Sequence, residues 1–158
     1  MFGRVHIGLV GAILLITTIS AQGQIDKVEI HTVGISCGSC AAISEVYLRR
    51  LEGVVKVSIS KSKEQVVVFY KPEARFRPEE LREALGKTGV KVAEFRISAH
   101  GQVQQEGDKK FFLIGSDRFR LFRSPHLLTN GRVALEVTLN DQVMPMEIEV
   151  ISFTPLNN

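Results

Sequence analysis

The stretch Gly34-Ile35-Ser36-Cys37-Gly38-Ser39-Cys40 holds both cysteines of this 158-residue chain, three positions apart. Before it, Lys27 to Val33 reads KVEIHTV. There Val28, Ile30 and Thr32 alternate against Lys27, Glu29 and His31, the period-2 pattern of a half-buried strand. After it, Cys40 to Leu51 carries Ile43, Tyr47, Leu48 and Leu51 at helical spacing, and Glu52-Gly53 predicts the stop. The cysteines therefore stand at a strand-to-helix joint. Val54 to Ser60 and Gln65 to Tyr70 alternate on either side of Lys61-Ser62-Lys63 and predict a hairpin. A second helix is predicted from Pro78 at a first helical position, Glu79 and Glu80 in the first turn, and Leu81, Ala84 and Leu85 on one face. It ends over Gly86 to Gly89, and a strand from Val90 to about Ser98 completes the order βαββαβ. Two helices then cover one face of a four-stranded antiparallel sheet.

Past Ala99 the helical period disappears. Short strands are predicted at Gly101 to Gln105, Lys110 to Ile114, Phe119 to Arg123, Val133 to Leu139 and Glu147 to Phe153. Turn residues separate most of them, with a longer loop from Ser124-Pro125 to Gly131. With Phe111, Phe112, Phe119, Phe122 and Phe153 as core candidates, the pattern suits a small all-β barrel or rolled sheet, an OB-like barrel among the forms it fits. The fold class is thus α+β, divided as a leader over 1–23, a first unit over 24–98 and a β unit over 99–158. No Ser/Pro-rich linker precedes His100-Gly101, so the two units are expected to pack as neighbours.

In the leader, Arg4 precedes an apolar run from Val5 to Ile19, and the small residues Ser20, Ala21 and Gly23 follow. This is the pattern of a signal peptide cut before Gln24. Roughly 15 helical residues reach about 22 Å, short of the ~30 Å hydrocarbon core. The chain is expected to be exported, periplasmic or extracellular, with an uncleaved N-terminal anchor facing outward as the alternative. The net charge of +3 divides as +1 in the leader, +3 over 24–98 (13 basic and 10 acidic residues) and −1 over 99–158 (6 and 7). Neither unit is a polycation, so nucleic-acid binding lacks electrostatic support.

A cysteine in the first turn of a helix lies near unpaired backbone N–H groups and the positive end of the helix dipole, both of which favour the thiolate. Two thiolates suffice for Cu(I) or Hg(II), whereas Zn(II) wants four ligands and no second cysteine pair or HxxxH supplies them. As a structural staple the pair is weak, because closing so short a ring is worth only about 2 kcal/mol. Thiol–disulfide exchange is the rival chemistry for a CxxC at a helix start, although the chain has no Trp. The stretch GISCGSC within the βαββαβ order, followed by Gly53-Val54, the hairpin, Tyr70-Lys71-Pro72, Leu81, Leu85 and Thr88-Gly89, resembles the heavy-metal-associated domain. That family includes copper chaperones, the N-terminal repeats of copper-transporting P-type ATPases and the exported mercury-binding protein. The resemblance covers about Val28 to Ile97. It implies a ferredoxin-like fold in which Cys37 and Cys40 hold one metal ion near the surface and pass it to a partner, a metal transporter or another metal-binding protein. It also implies a binding protein rather than an enzyme. Three positions depart from the family pattern: Ile35 where Met is usual, Ser44 where an apolar residue is common, and Val90 where Lys, Phe or Tyr often stands.

Other residues carry less. His31 shares the Lys27 and Glu29 face and is expected to be solvated, and His100 and His126 fall in turns without spacing that ties them to the cysteines. Met144 and Met146 flank Pro145 and are expected to pack a loop, a second soft site being the alternative. Arg118, Arg120 and Arg123 with Phe119 and Phe122 are expected on solvated strand faces rather than against single-stranded nucleic acid.

Overall fold

The computed structural model describes residues 23–124, 127 and 130–156. The predicted leader therefore lies outside the described residues, apart from Gly23. The elements run β1 (Gln24–Val33), α1 (Gly38–Arg49), β2 (Val54–Ser60), β3 (Gln65–Tyr70), α2 (Pro78–Gly86), β4 (Lys91–Glu106), β5 (Lys109–Ile114), β6 (Asp117–Phe122), β7 (Gly131–Asn140) and β8 (Glu147–Pro155). The β2–β3 hairpin and the Pro78 start of α2 stand where the sequence pattern places them. Helix α1 begins earlier than periodicity suggests because Cys37 serves as its N-cap: the Cys37 Sγ accepts the Cys40 N–H. Among the described residues no helix is long and apolar enough to cross a membrane.

Strands β2-β3-β1-β4 form the antiparallel sheet of the first unit, with β1 between β3 and β4. One period-2 face of it is apolar. Val28 and Ile30 on β1, Val66 and Val68 on β3, and Phe95 and Ile97 on β4 are all buried beneath Leu48 of α1 and Leu81 and Leu85 of α2. The remaining strands close a barrel, β4-β5-β6-β8-β7, through a further pairing of β7 back onto β4. Strands β6 and β8 run parallel, with Arg120 opposite Glu147 and Phe122 opposite Glu149. All other pairings are antiparallel.

The two strands expected at 90–98 and 101–105 are one 16-residue strand, β4, and the expected boundary between residues 98 and 99 falls inside it. Along one edge β4 pairs first with β1, from Lys91 to His100, and then with β5, from Gln102 to Glu106. Its other edge pairs with β7 from Phe95 to Val103. Gly101 marks the handover: a Cβ there would stand 2.2 Å from the Leu113 carbonyl oxygen, so only glycine fits. The turn signal in His100-Gly101 is in fact a close approach of backbones. Sequence patterning cannot separate the two, because glycine answers both needs.

One core serves both units. Phe76, on the segment between β3 and α2, packs edge-on against Tyr70 and Phe95, with ring centroids 6.5 and 6.3 Å away. It also meets Phe119 of the barrel at 6.4 Å. Its N–H donates to Asp117 Oδ2 at 3.0 Å. On the other side Arg82 of α2 donates to both oxygens of Asp141, at 2.7 and 2.9 Å, while its guanidinium lies over the Phe95 ring. Of the five phenylalanines expected inside the barrel, Phe111, Phe112 and Phe119 are buried. Phe122 and Phe153 are exposed instead. On β6 Phe119 and Leu121 point inward, which turns Phe122 outward, and in the second half of β8 the alternation gives way to exposure.

Candidate metal centre

Strand β1 ends at Val33, and Gly34 turns the chain at φ +96°, a left-handed conformation suited to glycine. Ile35 then points inward and is fully buried, so an apolar anchor holds the loop down while Ser36, Cys37, Gly38 and Ser39 stay exposed. Cys37 caps α1 and Cys40 stands in its first turn, half-buried. The Cys40 N–H donates to Cys37 Sγ at 3.1 Å, the Ser39 hydroxyl lies 3.3 Å from the same sulfur, and the Ala41 N–H closes the first helical bond on the Cys37 carbonyl at 3.0 Å. No acidic side chain stands in this turn. The sulfur of Cys37 thus collects donors and the positive end of α1, the surroundings that stabilise a thiolate.

In the structure Cys37 and Cys40 are joined as a disulfide, with Cα atoms 5.3 Å apart. The pair is the oxidised form of a dithiol. Opened, it presents two soft donors on an exposed loop, a set that fits a two-coordinate soft ion. Among the described residues no group of three or more His, Cys, Asp or Glu side chains converges to complete a tetrahedral site.

Two further loops meet the cysteine loop. The β2–β3 turn is fastened to it by Glu64, whose carbonyl accepts both the N–H and the hydroxyl of Thr32 at 2.8 Å, and whose carboxylate accepts the Gly34 N–H at 3.0 Å. The α2–β4 loop is fastened through Thr88. Its hydroxyl donates to the Leu85 carbonyl at 2.9 Å, so the proton shared with Ser44 at 2.6 Å comes from Ser44. Ser44, at a position commonly apolar in the family, is fully buried and satisfied by this relay. Val90 is buried as well and presents no polar group to the loop. Periodicity reads Ser44, Lys61 and Glu64 only as a helix position and turn residues. The available signal is the up-and-down chain order, which sends the β2–β3 turn to the same end of the sheet as the cysteines.

The other candidates stand apart. His31 is half-buried rather than solvated; its Nε2 is shielded and has no hydrogen-bond partner. His100 lies 3.3 Å from Asp26 near the far end of β1, and His126 is outside the described residues. Met144 is exposed, whereas Met146 packs on the core. Arg118 pairs with Glu106 and stacks on Phe111, and Arg120 pairs with Glu147. These arginines are engaged within the barrel. Arg123 lies over the Phe122 ring.

Residues 29–91 match the family model of the heavy-metal-associated domain. The match ends on the first residue of β4. The copper-transporting ATPase 2 of Homo sapiens is 35% identical over 74 residues, 47% of this chain and 5% of the ATPase. A copper-transporting ATPase of Oryza sativa subsp. japonica is 47% identical over 47 residues, 30% of this chain and 5% of the relative. The chain thus spans about 5% of the length of the curated relatives it matches. Among solved structures, the N-terminal domain of a potential copper-translocating P-type ATPase from Bacillus subtilis is 33% identical, covering 44% of this chain and 85% of that one at a TM-score of 0.38. The metallochaperone CopZ is 24% identical, covering 42% and 98% at a TM-score of 0.39. By the family model and the curated relatives, the first unit is similar to the heavy-metal-associated domain and to segments of copper-transporting ATPases.

Proposed function

We propose that this protein is an exported metal-binding protein, not an enzyme, in which the thiolates of Cys37 and Cys40 chelate one Cu(I) for delivery or sequestration. The observation that carries the reading is the placement of both sulfurs at the exposed start of α1, inside a stretch that matches the heavy-metal-associated domain. Chelation requires the disulfide to be opened. An external dithiol supplies two electrons and two protons, the S–S bond breaks, and the donor leaves as its own disulfide. The ion then displaces the two thiol protons. Exposure of Cys37 leaves room for an incoming thiolate from a partner, so transfer can proceed by ligand exchange without unfolding the loop. A copper transporter or a second metal-binding domain is the partner this chemistry fits. Hg(II) is the alternative ion.

The barrel supports this role by position. Strand β4 leaves the cysteine end at Lys91, takes its first barrel pairing, with β7, at Phe95, roughly 13 Å on, and reaches the β5 pairing at Gln102, roughly 36 Å on. The barrel extends β4 away from the cysteine end and serves as a second body to position a partner. Its strand order and parallel β6–β8 pair support the OB-like description. Export rests on the leader over 1–23.

The disulfide favours one second reading, thiol–disulfide exchange. Anaerobic titration of the reduced chain with Cu(I) against a chromophoric chelator separates the two. Binding of one equivalent, lost in Cys37→Ser and Cys40→Ser, supports chelation. Turnover in a disulfide-reduction assay with no stoichiometric ion would sink it.

A further inference from the structure

The β2–β3 turn is held against the cysteine loop by three hydrogen bonds, all to Glu64. Glu64 adopts φ +47°, and its N–H closes the turn on the Lys61 carbonyl at 3.3 Å. So anchored, the turn places the Lys61 ammonium beside the CxxC segment: a Cβ built on Gly38 would stand 3.8 Å from Lys61 Nζ. Among the described residues no carboxylate pairs with Lys61. The Glu64 carboxylate turns its Oε1 to the Gly34 N–H rather than to Lys61. An ammonium is thus directed at the peptide between the two sulfurs, by a turn that sequence periodicity treats as a mere connection.

The charge of the complex decides what this ammonium does. Two thiolates with a monovalent ion carry a net charge of −1, whereas two thiolates with a divalent ion carry none. A fixed positive charge beside the site stabilises the first complex and is indifferent to the second, to first order in Coulomb energy. We infer that Lys61 is an ion-selecting residue of the metal centre, favouring a monovalent over a divalent thiophilic ion, and that Glu64 positions it by locking the turn to Gly34. The inference rests on the metal-binding reading above. It adds to that reading a residue outside the cysteine loop and a preference between ions.

The test compares the full reduced chain with Lys61→Gln and Lys61→Arg, titrated anaerobically with Cu(I) and separately with Hg(II), each against a competing chelator. The exposed geometry predicts a loss of about three- to fivefold in Cu(I) affinity for Lys61→Gln. The arginine variant should restore it, and the gap should shrink in about 1 M non-coordinating salt, where the Debye length falls to about 3 Å. Hg(II) affinity should stay within twofold. A merely structural role would weaken both ions together, and that outcome overturns the inference. So does a Lys61→Gln variant that holds Cu(I) as tightly as the parent at low salt, while leaving chelation by the cysteines intact. A parent chain that takes up neither ion overturns the metal-binding reading and the inference with it.

Discussion

The two ends of β4 lie in one strand yet belong to different kinds of surface. Near Lys91 three loops converge on two sulfurs, and the groups at the surface are exposed: Cys37, Ser36, Ser39 and Lys61. From Phe95 onward the same strand also belongs to a barrel, on which Arg118 is paired with Glu106 and Arg120 with Glu147. The contrast shows where chemistry can reside. A loop anchored from below by Ile35 and from the sides by Glu64 and Thr88 is free to leave its donors unsatisfied. A strand in a closed ladder has no such freedom, because its backbone groups are paired on both edges.

Removing one sulfur breaks the contrast most sharply. Cys37→Ser or Cys40→Ser should abolish stoichiometric binding of a soft ion, read by chelator competition. The loss of so short a disulfide ring should cost only about 2 kcal/mol of folding stability. If the variants still bind one equivalent, the exposed Met144 region of the second unit holds metal and the distinction between the two ends fails.

The shared core comes next. Phe95→Ala empties the point where Phe76, Arg82 and the β7 pairing meet, and large-to-small changes of this kind cost about 3–5 kcal/mol. Because one core runs through both units, urea unfolding should remain a single transition shifted to lower denaturant. Two separated transitions, one unit melting before the other, would show that β4 does not couple them.

A smaller effect sharpens the account of the cysteine end. In a double-mutant cycle, Ser44→Ala should cost about 1 kcal/mol and Thr88→Val more, since it also loses the bond to the Leu85 carbonyl, and together they should cost less than their sum, because the Ser44–Thr88 bond is lost in each. Strictly additive costs, measured by urea unfolding, would mean that the two hydroxyls act separately.

The smallest effect is the pH response of the Arg82–Asp141 clasp between the units. The hydrogen bond from Arg82 holds the Asp141 carboxyl below its ordinary value of 3.8. A depressed carboxyl contributes stability above its unfolded value and loses it as the pH falls through the folded one. The difference in stability between the parent and Asp141→Asn should therefore be constant near neutrality and shrink only below about pH 4. A difference that changes between pH 6 and 8 would point to another group, since Asp141 is ionised throughout that range.

The first unit is largely legible in the sequence. Strand alternation in KVEIHTV, the helical spacing after Cys40, and Pro78 with its acidic first turn each carry a local period, and local periods survive in a linear string. The pair of cysteines is equally plain. The second unit is legible as strands, yet the pattern divides 90–98 from 101–105 where the molecule has one strand. Nothing local distinguishes a glycine that turns a chain from one that lets β1 and β5 succeed each other along an unbroken β4. Phe122 and Phe153 mislead for a related reason: an aromatic residue in a short strand has two faces to choose from, and only the partners decide which is inside.

Taken alone, the residue string settles the order of the elements in the first unit and the place of its cysteine pair at a strand-to-helix joint, because both are written in residues a few positions apart. Tertiary structure alone decides the closure of the barrel on β4, the satisfaction of Ser44 by Thr88 and the arrival of Lys61 beside Gly38. Each of these depends on groups distant in the chain finding one another. Such contacts arise from packing and hydrogen-bond satisfaction across the whole molecule, which no short window of sequence contains.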